Sequence, residues 1–520
     1  MNKFEIPGLT EEVTIENSKK GIMISIIALL ILTLSYLYFG VINSYDSFDF
    51  FAIVTILIFV YSIYVVFLFN GNLIITFRYL ILLIPIFITS YIWWMYEGEV
   101  HAHYFGHEYQ TLKATYIVVY GGMLSVLGAA MGWFFGTYKF RGSIQHNEEK
   151  KIFYGYLQKN YRRILFTGIG GALFFGLTFL IVSGGLIFSK GSYTGHGQNI
   201  NINFAVFNIF HMFFMSLALM AVLLKKKSYK FTLLLLMISF SFGILAGSRA
   251  DFLLPIMILF IIMIDGNIIK TYYRPNFKIV FKRYFKVILL IFFGFFAAIS
   301  FAIWRNAIDS NLLLIIFEHL NNIYDKLFIV LGGYTIFWME TGNHAIGGFY
   351  AFVQKIELGY IDYYYGRDYL NFIPRSLPGI VRPESFNALN LAWSTDINGV
   401  RMTQGGIYEP AEAYANFGFL GCFFISFLIS FFFVWLLKKA KRDYSIFFMA
   451  WYIVNGFMLS RIIWYQNFVL IRIVTVMVFL YIVFYIFNQR WFFGLNPIFK
   501  KKLKYKKSKN KIRVCFFIIK

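Results

Sequence analysis

Apolar runs of about 20 residues recur along almost the whole of this chain, separated by short charged connections. Such runs are long enough to cross a bilayer as helices, and that constraint overrides the usual rules of soluble domains. Twelve runs can be drawn, at roughly 21–40, 50–69, 78–96, 114–136, 164–188, 204–224, 230–247, 252–267, 286–304, 414–437, 444–463 and 466–487. The seventh and eighth are short and are separated only by Gly247 to Asp251, so they read equally well as a re-entrant pair. One long polar stretch, 305–413, interrupts the pattern. The expected fold is therefore all-α and polytopic, with about twelve membrane helices and one large loop. Its parts are a membrane region over 1–304, the loop over 305–413, a second membrane region over 414–487 and a basic tail over 488–520.

The charge supports this division. Only 14% of residues are charged, against 59% hydrophobic, and mean hydropathy is +0.65. A net charge of +23 could suggest nucleic acid, but the basic residues sit in short loops and in the tail, and no nucleic-acid module is present. With both ends in the cytoplasm, the inner segments hold 36 Lys and Arg and the short outer loops hold 4 (Lys113, Lys190, Arg249 and Arg461). Such an asymmetry sets the orientation, with both termini cytoplasmic and the large loop outside. Arg78 counts here as an inner-end residue. The inner basic residues are mostly Lys, whereas the other 12 comprise 4 Lys and 8 Arg. Lys suffices for topology; Arg offers the planar fork that grips phosphate. The run of lysines over 500–513 reads as contact with anionic membrane lipids.

The residues able to do chemistry face outward on this topology. Arg249, in Gly247-Ser248-Arg249, lies at the outer end of two apolar runs. Arg461 and Arg472 flank the last outer turn, and a charge inside a membrane run calls for a partner or a ligand. The loop carries Arg305, Arg367, Arg375, Arg382 and Arg401, yet its 11 acids outnumber its 7 basic residues, which excludes a uniformly basic funnel. Local arginine clusters with separate acids suit a transfer in which an anionic group leaves and a hydroxyl loses its proton. Glu412, Glu409, Asp396, Glu384 and His344 are all eligible as the base, and the sequence does not choose among them. Residues 312–331 carry a helical apolar stripe. His101, His103 and His107 share a short outer segment with three glutamates, but His101 and His103 are two apart and do not share a helix face; a solvated loop is the expected outcome and no metal or other cofactor is implied.

Some functions are excluded. There is no phosphate-binding Gly-x-x-x-x-Gly-Lys loop and no cytoplasmic segment large enough for a nucleotide domain, which removes ATP-driven transport and nucleotide-sugar synthases. Cys422 lies in an apolar run and Cys515 in the tail, so a disulfide between them is not expected. The first 20 residues lack the basic-then-apolar pattern of a cleaved signal peptide.

Three segments resemble the oligosaccharide repeat-unit polymerases, the Wzy-type O-antigen polymerase family. They are Gly247-Ser248-Arg249; Ile373-Pro374-Arg375-Ser376 with Arg382-Pro383 after it; and Glu412-Ala413-Tyr414-Ala415-Asn416-Phe417-Gly418 leading to Gly421. The family more often has Lys where this chain has Arg382. The resemblance implies a membrane glycosyltransferase with a glycosyltransferase C-like helical fold in the bacterial cytoplasmic (inner) membrane. It would move a growing glycan from undecaprenyl diphosphate onto an incoming undecaprenyl diphosphate-linked oligosaccharide, with a chain-length regulator and a flippase of the same pathway as possible partners. On that footing Arg249, Arg375, Arg382 and Arg461 are expected to contact diphosphate. Glu412 is expected as the base or an orienting carboxylate, and Tyr414 and Asn416 as shaping the acceptor site. A glycan ligase or a lipid-linked oligosaccharide flippase are the rival readings. The flippase is disfavoured by the long loop and by how few ionisable residues the first six runs contain.

Overall fold

The computed structural model describes residues 11–45, 47–69, 73–96, 111–140, 147–182, 204–224, 344–359, 361–376, 396–397, 400–401, 408–443, 445–464 and 468–486. Arg249, Arg305, Arg382 and Glu384, the seventh to ninth apolar runs, the 312–331 stripe, the histidine segment and the basic tail lie outside them. In chain order the helices are α1 (Glu11–Tyr36, continued by a π-helical turn, Leu37–Ile42), α2 (Asp49–Leu68), α3 (Leu73–Tyr96), α4 (Leu112–Lys139), α5 (Asn147–Val182) and α6 (Phe204–Leu224). After a gap come α7 (His344–Glu357), α8 (Arg367–Arg375), α9 (Glu409–Asp443), α10 (Ile446–Phe457), α11 (Leu459–Trp464) and α12 (Phe468–Ile486). The described strands are two-residue segments, β1 (Asp396–Ile397) and β2 (Val400–Arg401), paired antiparallel with Asp396 opposite Arg401.

Among the described residues, 6 helices are long and apolar enough to cross a membrane: Glu16–Ile42, Asp49–Val66, Ile74–Met95, Leu112–Lys139, Glu409–Ala440 and Val469–Ile486. They coincide with the first four, the tenth and the twelfth of the expected runs. The protein is thus a multi-pass membrane protein built of helices. The eleventh run is not one span. It divides at Met458, whose ψ of 8° departs from helical geometry, into α10 and the short α11.

Helix α4 is the axis of the bundle. Its N-terminus is capped by Thr111, whose hydroxyl accepts from the Ala114 N–H at 3.1 Å. It is buried on nearly all sides, as 94% of its apolar window is enclosed by protein, whereas α1 and α12 are each only 22% enclosed and leave most of their surface for lipid. One face of α4 presents Gly128, Gly132 and Gly136 at four-residue spacing. A Cβ on Gly128 would stand 2.2 Å from the Phe423 carbonyl oxygen, and one on Gly132 2.2 Å from that of Phe427. The two backbones are therefore in direct contact. Between membrane helices there is little hydrophobic driving force, so close backbone approach over small residues supplies the attraction. Ser125 adds a hydrogen bond from its hydroxyl to the Cys422 carbonyl at 2.9 Å. The order of these contacts along both helices makes α4 and this part of α9 parallel.

A second unit is formed by α5 and α6, which pack antiparallel. Gly168 lies against Ala218, Gly171 against Phe214, and His211 Nδ1 is 2.7 Å from the Ala172 carbonyl oxygen. Phenylalanines of α6 then join it to α10 and α12: Phe213 meets Phe447 and Phe484, and Phe210 meets Phe479.

Helix α9 is not straight. Gly418 has φ 63° and ψ −149°, and the chain reverses there. In a continuous helix Glu409 and Ser426 would be about 25 Å apart, at 1.5 Å per residue. Instead the Ser426 hydroxyl donates to Glu409 Oε1 at 2.6 Å. Cys422 Sγ lies 3.4 Å from the Pro410 carbonyl oxygen, and a Cβ on Gly421 would lie 2.2 Å from the Ala413 carbonyl oxygen. Partners that close in as Gly418 is approached define an antiparallel hairpin. A short first arm, 409–417, runs up to Gly418, and a long second arm runs back from it. The tenth run was expected to begin at 414; the crossing instead begins after Gly418, and the residues before it form a re-entrant arm. The N-terminus of that arm lies level with Ser426, eight residues and so about 12 Å down the second arm.

Candidate active site at the re-entrant arm

The deep end of the arm is fixed by charge. Arg78 and Glu409 are both fully buried. Arg78 Nη1 donates to Glu409 Oε2 at 2.8 Å and Nη2 to Oε1 at 2.5 Å, while Nε donates to Ser430 Oγ at 3.1 Å. The Phe433 ring stands 5.8 Å from the guanidinium carbon. Next to this pair the Tyr408 hydroxyl donates to the Leu82 carbonyl at 2.5 Å, one helical turn beyond Arg78 on α3. Arg78, counted above as an inner-end charge at the start of the run 78–96, lies within α3 and is fully buried against a partner, as a charge within a membrane helix requires. Glu409 is not placed to act as a base, because both of its oxygens are committed to Arg78 and Ser426.

Glu412 follows one turn later on the same arm and is buried, with 1% of its surface exposed. Both glutamates stand in the first turn of α9, where the positive end of the helix dipole favours negative charge. Tyr414 is packed among aromatic rings, with centroids 5.4 Å from Phe419, 5.7 Å from Phe349 and 5.8 Å from Tyr363. Its hydroxyl accepts from that of Tyr363 at 3.4 Å.

The upper end of the arm is tied to the segment that carries Arg375. Asn416 is fully buried, and its Oδ1 accepts from the Gly366 N–H at 3.2 Å. Its Nδ2 donates to the Glu412 carbonyl at 3.0 Å and to Asp368 Oδ2 at 3.4 Å. The N–H groups of Tyr364 and Tyr365 donate to the carbonyls of Ala415 and Asn416 at 2.9 and 3.0 Å, which satisfies the end of the arm where its helical bonding stops. Tyr365 and Gly366 take left-handed conformations, φ 48° and 82°, to make the tight step into α8. A non-glycine residue in that region is unusual and is held here by the hydrogen bond to Asn416. Tyr364 stays protonated: burial, with the nearby Asp368 carboxylate adding to it, pushes its hydroxyl up to about 12.

Helix α8 buries Asp368, Phe372 and Ser376 at four-residue spacing and leaves Leu370 and Ile373 exposed. Ser376 closes it, with its hydroxyl 2.7 Å from the Ile373 carbonyl and 2.9 Å from the Thr475 hydroxyl of α12. Arg472 lies three residues before Thr475, close to the same face of α12, and is half-buried. The last residue of α8 is Arg375; the hairpin holds the Gly366 to Asp368 end of this helix, and α12 meets its Ser376 end. Arg461 sits half-buried on α11, which packs against α3, α9, α10 and α12.

The structure therefore gathers Glu412, Tyr414 and Asn416 on one arm, clasps the Arg375 helix to that arm, and sets Arg461 on an adjoining helix. Of the remaining base candidates, Asp396 is in β1 and His344 begins α7, away from this clasp in sequence. Several residues that build the site were not singled out in the sequence. They include Asp368, Thr475 and the link between α4 and α7, where Lys113 Nζ lies 2.6 Å from Glu357 Oε2 and the Tyr350 hydroxyl donates to Thr115 Oγ1 at 3.1 Å. All are contacts between residues distant in sequence, and no local pattern announces them. Among the described residues no group of three or more His, Cys, Asp or Glu is placed to hold a metal ion.

The arrangement is a buried carboxylate, Glu412, on an arm that is hydrogen-bonded through Asn416 to the helix ending in Arg375. Comparison with curated proteins and with solved structures returned no match. The family model for the O-antigen polysaccharide polymerase Wzy matches residues 21–491, from the first apolar run to just beyond the last. The chain belongs to the Wzy family of O-antigen polysaccharide polymerases.

Proposed function

We propose that this chain extends a surface polysaccharide by joining repeat units carried on undecaprenyl diphosphate, at the outer face of the bacterial cytoplasmic membrane, with both termini in the cytoplasm. Family membership supports repeat-unit polymerisation in the membrane. The observation that carries the finer reading is the clasp of the Arg375 helix onto the arm that bears Glu412, both at the hairpin end where a lipid-linked diphosphate could reach from the bilayer.

In the reaction, a hydroxyl of the incoming unit attacks the anomeric carbon of the growing glycan. The bond from that carbon to the diphosphate oxygen breaks, and the diphosphate leaves with the electron pair. Glu412 takes or orients the hydroxyl proton. Arg375 and Arg461, joined by Arg249 and Arg382, hold the diphosphate and stabilise the charge it gains. Tyr414 shapes the acceptor side, and Asn416 does so through the loop that it fastens. Lipid diphosphate supplies the activated sugar, so no nucleotide is needed.

Removing the gene and determining the structure of the cell's polysaccharide tests this. Single repeat units in place of long chains are expected. Long chains left on the carrier would make the protein a ligase, and repeat units stranded on the inner leaflet would make it a flippase; either result overturns the reading.

A further inference from the structure

Arg78 has no place in that reaction, yet it is the most completely engaged charge described in the protein. A guanidinium inside an apolar helix is costly to bury, and such a residue generally has a function and a partner. Its partner is on the re-entrant arm, 331 positions away in sequence. Both Nη groups grip the two oxygens of Glu409, and Nε grips Ser430 on the second arm of the same hairpin. Two parallel bonds from a planar fork fix a carboxylate in rotation as well as in distance, which a point charge does not.

We propose that Arg78 is a positioning residue for the transfer: through Glu409 it sets the depth and rotation of the arm, and so the place of the Glu412 carboxylate one turn away. The inference rests on the role given to Glu412 above. Two observations favour positioning over simple stabilisation. Replacing a buried ion pair by apolar residues is often neutral for stability, so such a pair is poorly explained by stability alone. The anchors on α3 are also paired: the Leu82 carbonyl receives Tyr408 one turn from Arg78, so adjacent residues of the arm are held at two levels of one helix. The arm is thus tied at both ends, by Arg78 and Leu82 below and by Asn416 above. A reacting group displaced by about 1 Å can lose about a hundredfold in rate.

The test uses the full-length protein in lipid nanodiscs with Arg78→Lys, and with Arg78→Met combined with Glu409→Met. Two readouts are taken. One is polymerisation of lipid-linked repeat units, resolved into kcat and KM. The other, which does not depend on the reaction, is oxidative cross-linking of Pro410→Cys to the native Cys422, which reports the arm against its neighbour. The double variant removes both charges together and is expected to melt near the parent protein. Its kcat is expected to fall about 10- to 100-fold with KM within about threefold, and its cross-linking to slow. Arg78→Lys keeps the charge but loses the fork, and is expected to fall between the two. Parental kcat and cross-linking in the folded double variant would overturn the proposal. If that variant does not fold, the same parental values in Arg78→Lys would overturn it. Should the parent itself join no lipid-linked units, the functional reading fails, while the cross-linking still decides whether Arg78 places the arm.

Discussion

Replacing Gly418 by alanine isolates the contribution of the chain reversal. With φ 63° and ψ −149°, this residue occupies a region of backbone space that is essentially reserved for glycine. Forcing another residue there costs about 1–3 kcal/mol. Steric contact adds nothing to that figure: the nearest atoms to a Cβ at Gly418 belong to the Tyr363 ring, at 3.6 Å, which is ordinary van der Waals distance. The cost of Gly418→Ala is therefore conformational and should stay within about 1–3 kcal/mol, or roughly a 5- to 150-fold shift toward arrangements in which the hairpin is open. An open hairpin separates Glu409 from Ser426 and breaks the pair with Arg78. The assay is denaturant or thermal unfolding in nanodiscs beside a control, Gly170→Ala. Gly170 lies within helix α5, and apart from its own helix backbone nothing stands within 4 Å of its Cβ position. That control should be neutral or gain about 0.5–1 kcal/mol, as alanine replaces glycine within a helix. Equal stability of Gly418→Ala and Gly170→Ala would refute the reversal as a strained, glycine-dependent turn.

Two further outcomes follow from named contacts. Gly132→Ala should destabilise by about 1–3 kcal/mol, the usual cost of overpacking, because its new methyl group meets the Phe427 carbonyl oxygen at 2.2 Å and the helices must part; unfolding in nanodiscs reads this, with Gly170→Ala again as the control. Asn416→Ala should leave the buried Gly366 N–H without its acceptor, at about 1–3 kcal/mol, and should release α8 from the arm; faster protease cleavage between residues 361 and 376 would register that release.

The sequence made the multi-pass helical character plain because run length is a property that the bilayer reads directly. The segments marked by the resemblance were visible too, and one tie between them is now plain: Asn416, within Glu412 to Gly418, bonds Gly366 and Asp368 at the start of the helix that ends in Arg375. Their manner of meeting was hidden. A stretch such as Tyr414-Ala415-Asn416-Phe417-Gly418-Phe419 carries no apolar periodicity that distinguishes a hairpin from a helix running on, and glycine is common in membrane helices without any reversal. Only the φ and ψ of Gly418 separate the two. Arg78 was misplaced for a related reason. The run drawn at 78–96 begins with it, so it was counted as a topology charge, whereas α3 begins five residues earlier at Leu73, and its partner lies in a distant part of the chain. The break at Met458 left no mark either, since apolar residues flank it on both sides.

The central claim is that the buried carboxylate on the re-entrant arm takes part in sugar transfer. Glu412→Gln tests it most directly, since the amide keeps the shape of the side chain and removes its ability to take a proton. In single-turnover extension of lipid-linked repeat units by the purified protein, the variant is expected to melt like the parent and to react about 10²- to 10⁴-fold more slowly, the usual contribution of a positioned general base. Chain growth at the parental rate by a folded Glu412→Gln protein would contradict the account.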